Sequence, residues 1–135
     1  NRAKLLAMIP GNKKFNDINK LLVFKLGQEK YAIDDEFVES VLAQQEITTI
    51  PLISKPFVGV IYYQGEVLPV IDTFQVILNE NISSELSNYD LVLLRFESSS
   101  LILKVTEVHS QIENIANELE NITIIDPVVF SNYLD

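Results

Sequence analysis

The chain has 135 residues, no cysteine and a formal net charge of −9 at pH 7. This length suits one compact domain, or two small lobes that share a core. The absence of cysteine excludes a disulfide scaffold and any thiolate metal site. Five of the ten basic residues lie within residues 1–20, and eighteen of the nineteen acidic residues follow them. The acidic body repels nucleic acid, and no apolar run reaches the ~18 residues of a membrane span.

The N-terminal third predicts an arm followed by a hairpin. Residues 1–20 are interpreted as a basic, solvated arm rather than a site for an anionic partner. Two runs of strand-forming residues, 21–26 and 31–33, flank a turn at Gly27 and predict two paired strands. The acidic run 34–36 lacks the alternating ligands and central glycine of a calcium loop, so we interpret it as a helix cap and first turn.

The middle of the chain is dominated by an apolar hairpin. Residues 38–43 before it fit either a helical turn or a strand, because their apolar spacing suits both periods. Residues 57–72 predict two short strands joined at Gln64 and Gly65, where glycine accepts φ > 0 without cost. Both faces of this hairpin are apolar, so we expect burial on two sides. Pro69 cannot donate to a ladder, so its nitrogen should face an edge or an irregularity.

The C-terminal half alternates strands with polar segments. Three further strands are predicted, at residues 89–96, 101–105 and 122–125. Residues 107–120 are polar with apolar residues at helical spacing, which leaves both a helix and a degenerate strand open. Asp126 and Pro127 predict the start of a final helix. Short strands at regular intervals with few helices are typical of a small β-barrel or sandwich.

The residues that could carry catalysis lack a supporting constellation. His109 is the single histidine, and its neighbour Ser110 would point to the opposite face of a strand. No glycine-rich phosphate loop and no nucleophile elbow occur. Glu66 and Asp72 are the best-placed carboxylates, but the simpler interpretation places Glu66 beside a turn and has Asp72 accept backbone N–H groups at a strand end. The sequence therefore favours surface-mediated binding over catalysis, with no cofactor and no metal.

Several segments resemble the CheW-like family, the coupling proteins of bacterial chemotaxis. The matching segments are residues 22–27, 31–34, 47–51 and 58–72, with weaker similarity over 89–108. Residues 122–134 are similar to the family's closing strand and helix. Val38 and Val41 fall at the family's Val-x-Glu-Ile step. In the hairpin, Gly65, Pro69 and Asp72 keep the register of its Arg-Gly-x-Ile-Val-Pro-Val-Ile-Asp motif.

The resemblance implies a mostly β fold of two small, intertwined, SH3-like five-stranded barrels with short helices at the ends. The implied division is an arm at 1–20 and a CheW-like domain at 21–135, with a first lobe mainly at 34–85 and a second mainly at 21–33 and 86–135. Only about 15 residues separate Val108 from the last strand, about half of what the family uses for two strands there. We therefore expect the second barrel to be incomplete or closed by another chain.

The resemblance also implies a cytoplasmic, non-enzymatic adaptor. Family members join the clustered tips of methyl-accepting chemoreceptors to the regulatory domain of the histidine kinase CheA, without nucleic acid or membrane insertion. The residues implied on or under partner-facing surfaces are Val38, Ser40, Gly59 and Gln64. Ser40 replaces a glutamate of the family and Gln64 an arginine, which keeps open a module that serves another signalling assembly. A third hypothesis is an enzyme that uses Glu66 and Asp72.

Overall fold

The computed structural model describes residues 20–80, 87–113 and 121–134. Within these ranges the chain forms nine strands and two short helices. In chain order they are β1 Lys20–Leu26, β2 Glu29–Asp34, β3 Val38–Leu42, β4 Phe57–Tyr63, β5 Glu66–Asp72, α1 Thr73–Leu78, β6 Asp90–Arg95, β7 Ser100–Val105, β8 Glu107–Glu113, β9 Ile122–Ile125 and α2 Val128–Ser131. Residues 1–19 of the predicted arm and residues 114–120 of the ambiguous segment lie outside the described residues. In the two segments whose apolar spacing fits both a helix and a strand, the described residues form strands, β3 and β8.

Five strands form what we call the first sheet, in the order β3-β6-β7-β5-β4. All neighbours are antiparallel except β5 and β7, which run parallel. Thr48, in the segment after β3, exchanges two backbone hydrogen bonds of 2.9 Å with Val60 of β4. Because this bridge joins the chain that leaves one edge strand to the other edge strand, it curls the sheet towards a barrel.

Four strands form the second sheet, in the order β8-β1-β2-β9. Strands β2 and β9 are parallel, and the other neighbours are antiparallel. The described residues thus contribute five strands to one sheet and four to the other, in a mostly β fold with short helices. The division of the chain between lobes stays a prediction. Strands β6 and β7, which that division gives to the second lobe, hydrogen-bond within the first sheet.

The two sheets share one core. Alternate residues of β1, such as Phe24, meet the outward side of the first sheet, such as Val92 and Leu103, in a single buried cluster. A second cluster, which includes Ile61 and Leu93, fills the inner face of the first sheet. Residues on both faces of β6 and β7 are buried. This burial accounts for the nearly continuous apolar sequences of the two strands. The shared core holds the two sheets together as one body.

The central hairpin forms as predicted at its turn. Gln64 and Gly65 both have positive φ, 49° and 82°, and Tyr63 pairs with Glu66 across them, as in a tight two-residue turn. Pro69 lies one residue before β5 begins to pair with β7 at Val70. Its missing N–H therefore costs no bond on that side.

Gly59 lies where the first sheet closes. Its φ is +155°, and a Cβ atom there would overlap the Thr48 carbonyl oxygen and the Ile47 side chain. Gly27, in the β1–β2 turn, also has a positive φ, +67°, but a Cβ atom there would meet nothing within 4 Å. A side chain at Gly27 would therefore add backbone strain alone, whereas one at Gly59 would add steric overlap as well.

We expect Gly59→Ala to lower the free energy of unfolding by about 3 kcal/mol, because it adds overlap with backbone to strain. The matched control Gly27→Ala should cost only about 1 kcal/mol, the strain of a left-handed alanine. Urea unfolding followed by circular dichroism measures both. Equal losses in the two variants would contradict the close packing at Thr48.

Carboxylates open both helices and the short 3₁₀ turn at Asp35–Phe37. Asp34 accepts from Glu36 N–H at 3.0 Å and Asp72 accepts from Gln75 N–H at 3.3 Å. Asp126 accepts from Val128 N–H at 3.0 Å, just before α2. The predicted capping roles of the acidic run and of Asp72 are confirmed, since each carboxylate satisfies a backbone donor at a helix start.

The pH dependence of stability should reveal the burial of Asp126. Burial raises the pKa of its carboxyl, against the opposing effect of the Val128 N–H donor. The folded state then holds this proton more tightly than the unfolded chain, so this group's contribution to stability falls as pH rises through the raised pKa. Asp126→Asn keeps an acceptor without the charge, so the variant should exceed the wild type in stability at neutral pH.

The advantage of Asp126→Asn should vanish below about pH 3, where the unfolded aspartate is also protonated. Denaturation midpoints of both proteins across this range measure the difference. A constant difference at every pH would show that the burial of the charge has no part in it.

Candidate partner-binding surface

The four residues implied by the family resemblance lie at the two edges of the first sheet. Val38 begins β3 and packs, partly buried, against the shared core. Ser40 is half-buried and pairs with Leu93. Gly59 is buried in β4, whereas Gln64 is exposed in the turn. Of the four side chains, only that of Gln64 is freely exposed to a partner.

Three charged side chains, which we call the charged cluster, connect these edges. Arg95, the last residue of β6, donates from Nε to the Glu39 carboxylate of β3. Its Nη1 lies 3.9 Å from the Glu66 carboxylate at the start of β5. The hydrogen bond from Arg95 lowers the pKa of Glu39, and Glu39 in turn raises the pKa of Arg95. The cluster is exposed, with 44% of the Arg95 side chain accessible, so it can meet a partner's polar groups.

The charged cluster shows which predicted residues come together. Glu39 lies between Val38 and Ser40, and Glu66 lies two residues after Gln64, so Arg95 brings the start of β3 and the hairpin turn to one end of the sheet. Gly59 precedes Gln64 by five residues, about 16 Å along β4, and lies at the Thr48 bridge. Val38 and Gln64 thus lie near the charged cluster, whereas Ser40 and Gly59 share one row across the sheet, which runs through Leu93, Ile102 and Val70.

An apolar surface adjoins this end. On the outer face of the hairpin, Tyr62 pairs with Val67 and Val60 with Pro69, and we call these four residues the hairpin strip. Tyr62 is 69% exposed and Val67 56%, while Val60 and Pro69 are half-buried. The expectation of burial on two sides is therefore wrong for the half of the hairpin near the turn. Exposed apolar side chains beside a charged rim are typical of protein-binding surfaces.

A family model described as the CheW-like domain matches residues 20–129. The chain belongs to the CheW-like family. Proteins of this family are adaptors and scaffolds of chemotaxis. A search of the curated proteins found no match.

Among solved structures, this CheW-like chain is similar to the scaffolding protein TtCheW from Thermoanaerobacter tengcongensis. The two sequences are 27% identical, and the structures superpose with a TM-score of 0.61. The similarity covers 70% of this chain and 64% of TtCheW, so the chain spans less than two thirds of that protein's length. The match confirms the fold of two SH3-like sheets.

The carboxylate pair considered for catalysis does not form a site. Glu66 and Asp72 begin and end the same strand, β5, which separates them by about 20 Å. Asp72 is buried and caps α1, whereas Glu66 is exposed in the charged cluster. Two carboxylates that act on one bond must lie within about 10 Å.

In the described ranges, no group of three His, Cys, Asp or Glu residues could hold a metal ion. Neither helix in these ranges has the length and apolarity that a membrane span needs.

The residues that the sequence did not reveal are Arg95 and the exposed pair Tyr62 and Val67. Arg95 ends β6, and no local pattern indicates that it reaches Glu39 and Glu66 on two other strands. The tyrosine at position 62 offered a signal, since a large amphipathic ring near a turn suits an interface. Because the hairpin is apolar on both faces, the pattern predicted burial of Tyr62 instead.

Removing the arginine should change the titration of its partner. In Arg95→Gln, the pKa of Glu39 should rise towards the ordinary range for glutamate, because the charged hydrogen-bond donor is lost. Carboxyl chemical shifts in an NMR titration measure it. The matched control Lys30→Gln, on the second sheet, should leave Glu39 unchanged. An unchanged titration in Arg95→Gln would contradict the ion pair.

Proposed function

We propose that this CheW-like chain is a cytoplasmic, non-enzymatic adaptor that couples the cytoplasmic tips of chemoreceptors to the histidine kinase CheA. The family membership carries this proposal, since the match covers both sheets. The solved relative, TtCheW, is itself a scaffolding protein. The position of the carboxylates supports the non-enzymatic part, because Glu66 and Asp72 are too far apart to act on one bond.

The hairpin strip and the charged cluster are the surface that we assign to a partner. Tyr62 and Val67 form a cross-strand pair and so present one continuous apolar contact at low entropic cost. Their neighbour Gln64 offers amide donors and an acceptor, and Arg95, whose side chain is 44% exposed, has more donors than its contacts with Glu39 and Glu66 use. An apolar centre with a polar rim suits the side of a receptor helix or the face of a similar barrel.

Co-sedimentation with receptor fragments and with the CheA regulatory domain tests the proposal. The wild-type chain should bind both partners. The double variant Tyr62→Ser/Val67→Ser should weaken binding to at least one of them by about tenfold or more, since buried aromatic contacts carry much of an interface's energy. Both residues are exposed, so the change should leave the fold intact.

Val128→Ser is the matched control, because Val128 is also an exposed valine, 37% accessible, but lies on α2. It should bind both partners as the wild type does. Failure of the wild type to bind either partner would refute the coupling role. Full binding by the double variant would show that the interface lies outside the hairpin strip.

A second candidate function is that of a CheW-like module in another signalling assembly. The observation that favours it is the exposed turn, which carries the neutral Gln64 where the family has an arginine. In a reconstituted array, a normal kinase response to receptor ligands would refute this candidate. Binding to a different signalling complex without a kinase response would support it over the first.

A further inference from the structure

The turn that follows the Thr48 bridge presents a leucine that the fold does not bury. Ile53 N–H donates to the Ile50 carbonyl at 3.3 Å and closes a turn of four residues, 50–53. Leu52 in this turn is fully exposed, and Ile50 is 39% exposed. An apolar side chain stabilises a fold by leaving water, so Leu52 contributes nothing of this kind to its own chain. We call residues 50–53 the apolar knob.

The backbone of the apolar knob is strained at the same residue. Leu52, the third residue of the turn, has a φ of +63°. Turns with a positive φ at the third residue usually place glycine or asparagine there, because the left-handed region crowds an ordinary Cβ atom. Backbone strain of this kind persists mostly where the residue has a function. Since both water and the backbone disfavour this leucine, its benefit must come from contact with another molecule.

A cleft of 590 Å³ begins at the apolar knob itself. The two backbone bonds between Thr48 and Val60 hold one of its walls against β4, so the knob and the cleft keep a fixed relation. The part of the lining beside the knob is formed by Glu46, Ile47, Thr49, Ile53, Phe57 and Val58. Four of these six residues are apolar and partly buried, whereas Glu46 and Thr49 are exposed. The cleft therefore has an apolar wall and a polar rim.

The inner end of the cleft offers no charge that would select a ligand. Lys104 is nearly buried there, with its Nζ 4.7 Å from the centre of the Tyr89 ring. The Asp72 carboxylate interacts with it from the paired position on β5. The groups that another molecule can use are the apolar wall and the rim.

A knob beside a cleft is self-complementary. When two copies face each other across a two-fold axis, the knob of each can enter the cleft of the other, and one axis produces both contacts. The nearby charges agree with this arrangement. Lys55 follows the knob and is exposed, while Glu46 lies at the rim of the cleft. The knob of one copy would bring its lysine towards the glutamate of the other, and such complementary charges fix the register of an interface.

We propose that the apolar knob and the cleft form a two-fold interface between two copies of this chain, with Leu52 of each copy in the cleft of the other. The contact is small, and interfaces below about 1,200 Å² are typical of weak, transient pairs. The net charge of −9 on each copy also opposes association. The pair should therefore form at high local concentration, as when several copies gather in one assembly.

The proposal goes beyond the adaptor function, because the interface and the hairpin strip lie apart. The segment at Thr48 runs antiparallel to β4, so the knob lies beside the start of that strand, whereas the turn at Gln64 follows its end. The seven residues of β4 span about 20 Å. A pair of copies would thus keep both hairpin strips open to partners.

Sedimentation equilibrium of the full chain between about 10 µM and 1 mM tests the pairing. The wild type should pass from monomer to dimer with no larger species, because a two-fold contact closes on itself. Leu52→Asn should weaken the dimer at least about tenfold, since it removes the apolar contact. It should not lower the thermal midpoint, because asparagine tolerates a positive φ. Loss of pairing without loss of stability distinguishes a contact residue from a structural one.

A second variant tests whether each copy gives a knob and receives one. Thr49→Trp adds a large side chain at the exposed mouth of the cleft and leaves the knob unchanged, so alone it should not pair. An equal mixture of Thr49→Trp and Leu52→Asn should pair more strongly than either variant alone. In the mixed dimer, the knob of the first variant can still enter the cleft of the second.

Exchange of the rim charges tests the register. Lys55→Glu should weaken the dimer because it sets two carboxylates together, and the double variant Lys55→Glu/Glu46→Lys should restore it. Both residues are exposed, so these changes should leave the fold intact. The matched control is Tyr62→Ser/Val67→Ser, on the hairpin strip, which should pair as the wild type does.

Three results would overturn the proposal. A wild type that stays monomeric at 1 mM would remove the interface, and undiminished pairing by Leu52→Asn would place it elsewhere. The absence of recovery in the mixture would exclude the reciprocal contact. If the chain is monomeric and Leu52→Asn weakens co-sedimentation with the CheA regulatory domain, the knob belongs to the kinase contact instead. The adaptor function does not depend on the pairing, since wild-type co-sedimentation tests it separately.

Discussion

The close approach of β4 to the Thr48 carbonyl is the constraint on which the rest of the first sheet depends. Only a residue without a Cβ atom leaves room at position 59 for the Thr48 carbonyl and the Ile47 side chain. The two backbone bonds between Thr48 and Val60 then form at 2.9 Å. This bridge holds the segment after β3 against β4 and so joins the two edges of the first sheet.

The inner face of the first sheet is apolar at its centre, and the cations of β6 and β7 lie near its two ends. Because β6 and β7 are antiparallel, Arg95 at the end of β6 pairs with Ser100, whereas Lys104 near the end of β7 pairs with Leu91. The two cations therefore lie at opposite ends of the same pair of strands. Arg95 is exposed and shared by two carboxylates, whereas Lys104 is nearly buried beside a ring.

The sequence predicted correctly those features of the fold that local interactions determine. The turn at Gln64 and Gly65, the cap made by Asp72 and the strands of the central hairpin follow from backbone preferences and nearby hydrogen bonds. The parallel pairing of β5 with β7 did not follow, because its partners are about thirty residues apart and no local signal records it. The same holds for Arg95, whose partners lie on strands far away in sequence. The part of the candidate site that depends on long-range pairing was therefore the part missed.

The hairpin shows why an apolar pattern alone does not decide burial. Ile61 and Leu68 on its inner face are buried, and so is Ile71 on the outer face where the second sheet covers it. Tyr62 and Val67 lie on that outer face but beyond the shared core. The resemblance leads one to expect a cation in the turn between them, where Gln64 stands. A cation does lie at this end of the sheet, but it belongs to Arg95 on β6, which donates to Glu39 and lies 3.9 Å from Glu66. The end of the sheet beside the hairpin strip therefore combines a neutral turn with an exposed guanidinium that lies near two carboxylates.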